Sequence, residues 1–285
     1  MGDENAESSY VMHSDSELTR LTLQHEMIKD AMGGQLVIAP LDLRASSLQI
    51  LDCCTADGVW IRELQSSLPP EVAKQHTFVG TDNEKSYFPH DPPKNTTYYV
   101  QDVHDPWPVE WSDRFDLVHQ RLALACPGDE EATKSTIRDL IRMVKPEGWI
   151  QLVEFIEWTD DEDGPAWKDY TTCLCDMIAF IGSTVKHIDH VKDWFQDLGL
   201  VNVEEKVFEG NYGTRQDKML QATAMKAVMM TATMILGVTS SLPQEMLRVS
   251  KDRIPNILTD LEKEMKADQT HAHWRYKVVW GRKPE

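Results

Sequence analysis

The sequence predicts an α/β protein: a mostly parallel sheet with helices on both faces. Two observations carry this. Residues 48–68 read as strand, tight loop and helix. An apolar run from Leu48 to Leu51 ends in the acid Asp52, a turn of small residues runs from Cys53 to Gly58, and a helical segment follows from Val59 to Leu68. Apolar runs and helix-period segments then alternate until five strands have passed by residue 155, the pattern of a parallel sheet with crossover helices. At 285 residues and 41% apolar composition, the chain can bury a large core.

The elements follow in order. Residues 1–13 read as a mobile acidic arm. Ser14 and Glu17 have the spacing of a capping box, and Leu18, Leu21, His25, Ile28 and Met32 then recur at helical spacing. Gly33-Gly34 closes that helix. His25 lies on its apolar face, either as a hydrogen-bonded core histidine or as a residue closing over a ligand. Pro69-Pro70 breaks the chain after the first strand–helix unit. The second strand, 76–82, ends in Asp82, where an acid can accept from ribose hydroxyls or cap a turn. The third strand spans 96–101, ahead of Asp102-Val103. The fourth spans 115–119, with Gln120 and Arg121 at its end. A helix over 130–144, with Ala132, Ile137, Leu140, Ile141 and Val144 inward, a turn at 145–148 and a fifth strand over 149–155 complete the alternation.

The second half reads differently. Apolar stripes predict helices over 167–181, 188–198, 217–237 and 254–265, with strands over 200–208 and 273–280. The third of these helices carries Met219, Met225, Met229, Met230 and Met234, which suit core packing or an adaptable apolar wall. No internal repeat or low-complexity linker occurs.

A formal charge of −18 repels phosphate backbones and argues against nucleic acid as a partner. No unbroken apolar run of membrane-spanning length occurs, so no membrane span is expected. The N-terminus lacks the basic and apolar regions of a leader peptide. Five cysteines, an odd number, suit reduced thiols and a cytoplasmic location. Cys173-x-Cys175 has no second ligand pair, so no metal site is expected. A homodimer is compatible with the sequence, which does not fix the oligomeric state.

Together these pieces resemble the class I S-adenosylmethionine-dependent methyltransferases, and within them the fungal secondary-metabolism branch with its gliotoxin-type N-methyltransferases. The matching residues are Arg20-Leu-Thr-Leu-Gln24-His25, Gly33-Gly34, Ala39-Pro40, Leu51-Asp52 through Thr55-Ala-Asp-Gly58 to Trp60, and Gly80-Thr-Asp82. Further along they are Asp102 with Trp107-Pro108, the run from Phe115 to Leu122, and Val144-Lys-Pro through Glu154. The resemblance covers residues 10–160 well and the rest in element order.

It implies a Rossmann-like seven-stranded sheet whose last strand is antiparallel, plus an N-terminal helix and a helical substrate lobe. Residues 14–160 would form the cofactor-binding core, and 161–285 the substrate-cap region and last strands. The implied cofactor is S-adenosylmethionine. Asp52, Cys53, Cys54, Thr55, Asp57 and Gly58 would lie around its methionine portion, with Asp57 on the ammonium or in water. Asp82 would hold the ribose, Asp102 and Val103 the adenine, and His119 and Gln120 would line the methyl group. Gln24 and His25 would fold over it. The usual glycines are replaced by Cys54 and Ala56, and a cofactor without a pyrophosphate tolerates that better than a dinucleotide.

Methyl transfer needs orientation and a dry site more than a base. His25, His119 and His187 are the candidate bases, and the residues do not rank them. The acceptor, a small and largely apolar metabolite reacting through N, O or S, would sit under the helical half against Trp158, Met177 and Met230. Fold alone leaves two rivals, a partner-binding regulator and a cyclase on the same scaffold.

Overall fold

In the computed structural model, residues 14–45, 47–157, 159, 161–213, 217–267 and 271–285 are described. The expected N-terminal arm and Trp158 lie outside them. Seven strands form one sheet: β1 (Gln49–Cys53), β2 (Thr77–Asp82), β3 (Thr96–Val100), β4 (Phe115–Arg121), β5 (Val144–Ile156), β6 (Val201–Asn211) and β7 (His273–Arg282). Their order is β3-β2-β1-β4-β5-β7-β6. β7 runs antiparallel to both neighbours, and the other paired strands are parallel. The order reverses between β1 and β4, so ligands are expected at the carboxyl ends there.

The register explains the buried runs of the sequence. Leu51 pairs with Val79 on one side and Val118 on the other. One sheet face meets α4 (Glu130–Met143) and α6 (His187–Asp197) through Ile137, Leu140, Ile188 and Phe195. The opposite face, with Ile50, Phe78 and Leu117, meets α1 (Ser14–Ala31) and α2 (Val59–Ser67). A second apolar core fills the lobe made by α5 (Pro165–Phe180), α7 (Lys218–Ser241) and α8 (Ile254–Lys266). By length and composition, α7 is the one helix among the described residues that could cross a membrane. Its buried residues, among them Ala224, Val228 and Ile235, belong to the lobe core.

α1 ends where Gly33-Gly34 was expected to end it. Gly33 and Gly34 sit at φ 66° and 82°, and their N–H groups donate to Asp30 and Lys29 carbonyls at 2.9 and 2.8 Å, a Schellman arrangement. The following segment is pinned to β5 by Gln151, whose Oε1 accepts from Ile38 and Ala39 and whose Nε2 donates to the Leu36 carbonyl.

Three local expectations change. Pro69-Pro70 does more than break the chain: Pro70 opens a one-turn helix, α3 (Pro70–Ala73), because proline at the first helical position sacrifices no intrahelical bond. The expected turn at 145–148 lies within β5 as a bulge. Pairing jumps from Phe115–Val144 to Leu117–Trp149, with Glu147 at φ 69°. On α4 the inward residues include Thr133 and Thr136, whereas Ala132 is only half-buried. Its N–H donates to the N-cap carboxylate of Asp129 at 2.9 Å, which fixes Ala132 in the first turn.

Candidate active site

A cavity of about 650 Å3 runs along the carboxyl ends of the strands and under the helical lobe. Its polar end lies at β1–β3. Asp82 and Asp102 line it there, with Val103 beside them and Gln24 reaching in from α1. Its apolar end is walled by Phe155, Tyr170, Leu174, Val228 and Trp274.

The loop after β1 shapes the middle. Cys54 and Ala56 adopt φ 55° and 51°, left-handed conformations costly for any residue with a Cβ. The backbone thus follows the path a glycine-rich turn would take, although glycine is absent at both positions. Two hydrogen bonds hold it: Thr55 N–H donates to the Thr81 carbonyl at 2.8 Å, and Ala56 N–H donates to Asp82 Oδ2 at 2.9 Å. Asp82 Oδ1 accepts from Glu84 N–H at 3.0 Å. Burial pushes the Asp82 carboxyl above its ordinary value, and the two N–H donors oppose that shift.

Cys54, Thr55, Ala56 and the Asp52 carboxyl end line the cavity, so only small side chains crowd the loop. The surroundings fit S-adenosylmethionine. The half-buried carboxylate of Asp82 and the carboxylate of Asp102 offer acceptors that a ribose diol and an amine would need, and a low-profile loop lies beside them.

Several residues expected at the cofactor do other work. His119 is buried in β4, not on the cavity wall. Its Nδ1–H donates to Asp52 Oδ1 at 2.7 Å while Thr55 Oγ1 donates to Asp52 Oδ2 at 2.5 Å. Its ring stacks on Trp60 with centroids 3.9 Å apart and planes 7° off parallel. Burial lowers its pKa against the pull of Asp52. Gln120, the next residue, points to the opposite face and is likewise buried off the wall. Cys53 is buried within β1, where burial raises its thiol pKa.

Asp57 faces neither ammonium nor water alone. Its carboxylate accepts from Val59 N–H at 3.1 Å and pairs with Arg62 at 2.6 Å, which secures the start of α2. Gly58, at φ 74°, is required by a neighbour: a Cβ there would stand 2.0 Å from the Tyr98 hydroxyl.

The candidate bases are also elsewhere. His25 is fully buried behind the wall and accepts from Arg121 Nη2 at 3.0 Å through Nδ1. Burial, then Arg121, lowers its pKa to about 2. His187 caps a distant loop by donating from Nε2 to the Gly128 carbonyl at 3.1 Å. Met177 and Met230 lie off the cavity wall. α7 turns a different stripe inward, Ala227, Val228, Thr231, Met234 and Ile235, and α5 turns Tyr170, Leu174 and Ile178. The helical period decides this: Met230 is three residues from Ala227 but sits on the flank of the stripe.

Arg20, Tyr87, Arg121, Tyr212 and Tyr276 join the wall without having been singled out. Arg121 had a visible signal, since it is two residues beyond His119 and shares its sheet face. The Tyr212–Tyr276 hydroxyl pair joins β7 to the residue after β6 and has no sequence signature.

No protein-family model matches the sequence. The chain is 32% identical to the N-methyltransferase gliN of Aspergillus fumigatus, over 98% of each chain. It is 33% identical to the N-methyltransferase sirN of Leptosphaeria maculans, over 98% of this chain and 96% of the relative. The methyltransferase psoC of Aspergillus fumigatus is 35% identical over 74% of this chain and 76% of the relative. Among solved structures, a chain of the complex between the Haloferax volcanii Trm112 methyltransferase activator and a methyltransferase shares the fold. Its TM-score is 0.53 at 13% identity, over 97% of this chain and 100% of that one.

Proposed function

Because this chain belongs to the fungal family of S-adenosylmethionine-dependent methyltransferases that includes gliN and sirN, we propose that it methylates a nitrogen atom of a small, largely apolar metabolite. The nitrogen follows the names of these relatives. The apolar acceptor follows one observation: the cavity runs unbroken from the carboxylates of Asp82 and Asp102 to an aromatic wall on the helical lobe.

When bound, the cofactor supplies a methyl carbon already activated by its sulfonium. The residues of the chain bind and orient. Asp82 accepts from the ribose hydroxyls while keeping the Ala56 N–H in place. Asp102 and Val103 flank the adenine, and Gln24 closes the site from α1. Leu174, Val228 and Trp274 exclude water from the transfer region, where orientation supplies most of the acceleration. An amine nitrogen with a free lone pair needs no base to attack, which fits a cavity wall without His25, His119 or His187. The sheet half thus serves the cofactor and the lobe serves the acceptor. Five free thiols suit a cytoplasmic location, and a charge of −18 disfavours nucleic acid as a partner.

Calorimetric binding of S-adenosylmethionine and S-adenosylhomocysteine tests this, with Asp82→Ala and Asp102→Ala alongside. Asp102 is part-exposed and bonds its neighbour His104, so its loss should leave the fold intact. Wild-type binding that weakens tenfold or more in each variant is expected. A folded wild type that binds neither ligand would overturn the reading.

A further inference from the structure

Given that reading of the site, one cation in the cavity stands without an ion-pair partner among the described residues. Arg121 ends β4 and lines the wall, and its hydrogen-bond partner is a histidine, His25, met at Nδ1. Among the described residues no carboxylate stands within ion-pair distance of it. The other charged groups on the wall are engaged. Arg20 is paired with Glu17, Asp52 with His119 and Thr55, and Asp102 with His104. His25 cannot become a counter-charge, because it is neutral, and as an imidazole it could only become a second cation. Around Arg121 stand the phenols of Tyr276 and Tyr212, while the Asp52 carboxylate acts on it only from beyond ion-pair distance. A guanidinium without a counter-ion is costly in such a setting, and the same setting strengthens its attraction for an anion.

Position says what the anion would belong to. Along the sheet edge Asp102 follows β3, Asp82 ends β2, the Cys54–Ala56 loop follows β1, and Arg121 ends β4. Three strand spacings separate the first from the last, about 14 Å. A cofactor anchored at Asp102 and Asp82 and extended along this edge brings its amino-acid tail toward Arg121, where the acceptor space begins. A sulfonium nearby adds a second positive charge, so the loaded site needs negative charge there.

We propose that Arg121 is a ligand-binding residue whose guanidinium takes an oxyanion, either the cofactor's α-carboxylate or an ionised oxygen of the acceptor, with His25 as its positioning residue.

Isothermal titration separates the two sources. Three probes are compared on wild type, Arg121→Met and Arg121→Lys: S-adenosylhomocysteine, 5′-methylthioadenosine, which lacks the amino-acid tail, and benzoate added to protein saturated with S-adenosylhomocysteine. If Arg121→Met weakens S-adenosylhomocysteine at least tenfold and leaves 5′-methylthioadenosine unchanged, the oxyanion is the cofactor's. If both nucleosides bind as before and saturable benzoate binding disappears, it is the acceptor's. Equal loss for both nucleosides, or no change with any probe, overturns the proposal.

Arg121→Lys keeps the charge but not the fork and should retain part of the affinity; it carries the test if Arg121→Met does not fold. His25→Gln, which still offers Arg121 an acceptor oxygen, should preserve the wild-type pattern, while His25→Leu should reproduce part of the Arg121→Met pattern. A wild type that binds neither nucleoside refutes the methyltransferase reading instead, a result distinct from every Arg121 outcome.

Discussion

Glu154 makes the sharpest stability prediction. It lies buried in β5, and its Oε1 accepts from the N–H groups of Ala123 and Leu124, both at 2.7 Å. These bonds fix the loop after β4, where Leu122 sits at φ 53° and Leu122 and Ala123 line the cavity. Burial raises the Glu154 carboxyl from 4.5 to about 7, against the pull of the two N–H donors. A carboxyl whose folded pKa exceeds its unfolded value stabilises the fold fully below the unfolded pKa, and that contribution is lost as pH rises through the folded one. The window is therefore pH 4.5 to about 7. At about 1.4 kcal/mol per pH unit, roughly 3 kcal/mol is at stake. Glu154→Gln keeps an oxygen for both N–H groups and removes the titration. Urea unfolding of both proteins at pH 5 and pH 8 gives a difference of differences that cancels every other titrating group. The variant should gain about 2.5 kcal/mol on wild type between the two pH values, because part of the loss already falls below pH 5. A gap that does not change with pH would refute the reasoning.

Three further outcomes are expected. Gly58→Ala would place a methyl 2.0 Å from the Tyr98 hydroxyl at φ 74° and should cost at least about 2 kcal/mol in urea unfolding; in a Tyr98→Ala background the cost should shrink to the left-handed penalty, about 1 kcal/mol. Ala56→Gly relieves about 1–2 kcal/mol of left-handed strain but loses a buried methyl and adds unfolded-chain entropy, together similar in size. Its thermal midpoint should therefore move by less than about 4 °C, and a larger drop would give the Ala56 methyl a role of its own. Asp52→Ala strips partners from His119 Nδ1–H and Thr55 Oγ1 in a buried site and should destabilise by about 3 kcal/mol; an unchanged unfolding midpoint would mean that the ring is held by Trp60 alone.

The sequence shows the sheet clearly because hydrophobic periods and strand-ending acids are local signals. Asp52, Asp82 and Asp102 reach the cavity edge as their positions at strand ends suggest. What it hides depends on register and rotation. His119 and Gln120 follow one another at the end of β4, so a linear reading places both at the ligand. Alternation sends them to opposite faces, and the pairing of His119 with Asp52 across β1 then engages its Nδ1. No spacing within either segment reveals that pairing. The methionines of α7 pose the same difficulty on a helix. Composition marks the helix as adaptable, but only its packing against α5 and α8 selects Met234 and leaves Met230 on the flank.

The loop at 54–56 shows how far a missing motif can mislead. Losing two glycines looks like losing a conformation, yet the conformation persists at φ 55° and 51°. Its cost, about 1–2 kcal/mol per residue, is offset by bonds that come from another strand. Thr81 and Asp82 at the end of β2 receive the N–H groups of Thr55 and Ala56. Asp82 therefore carries two functions on one carboxylate: Oδ2 holds the backbone of the loop, and the same group faces the cavity. Read alone, the substitutions at 54 and 56 look like a lost turn. Read with β2 they leave the backbone path along the cavity in place, because Thr81 and Asp82 hold it.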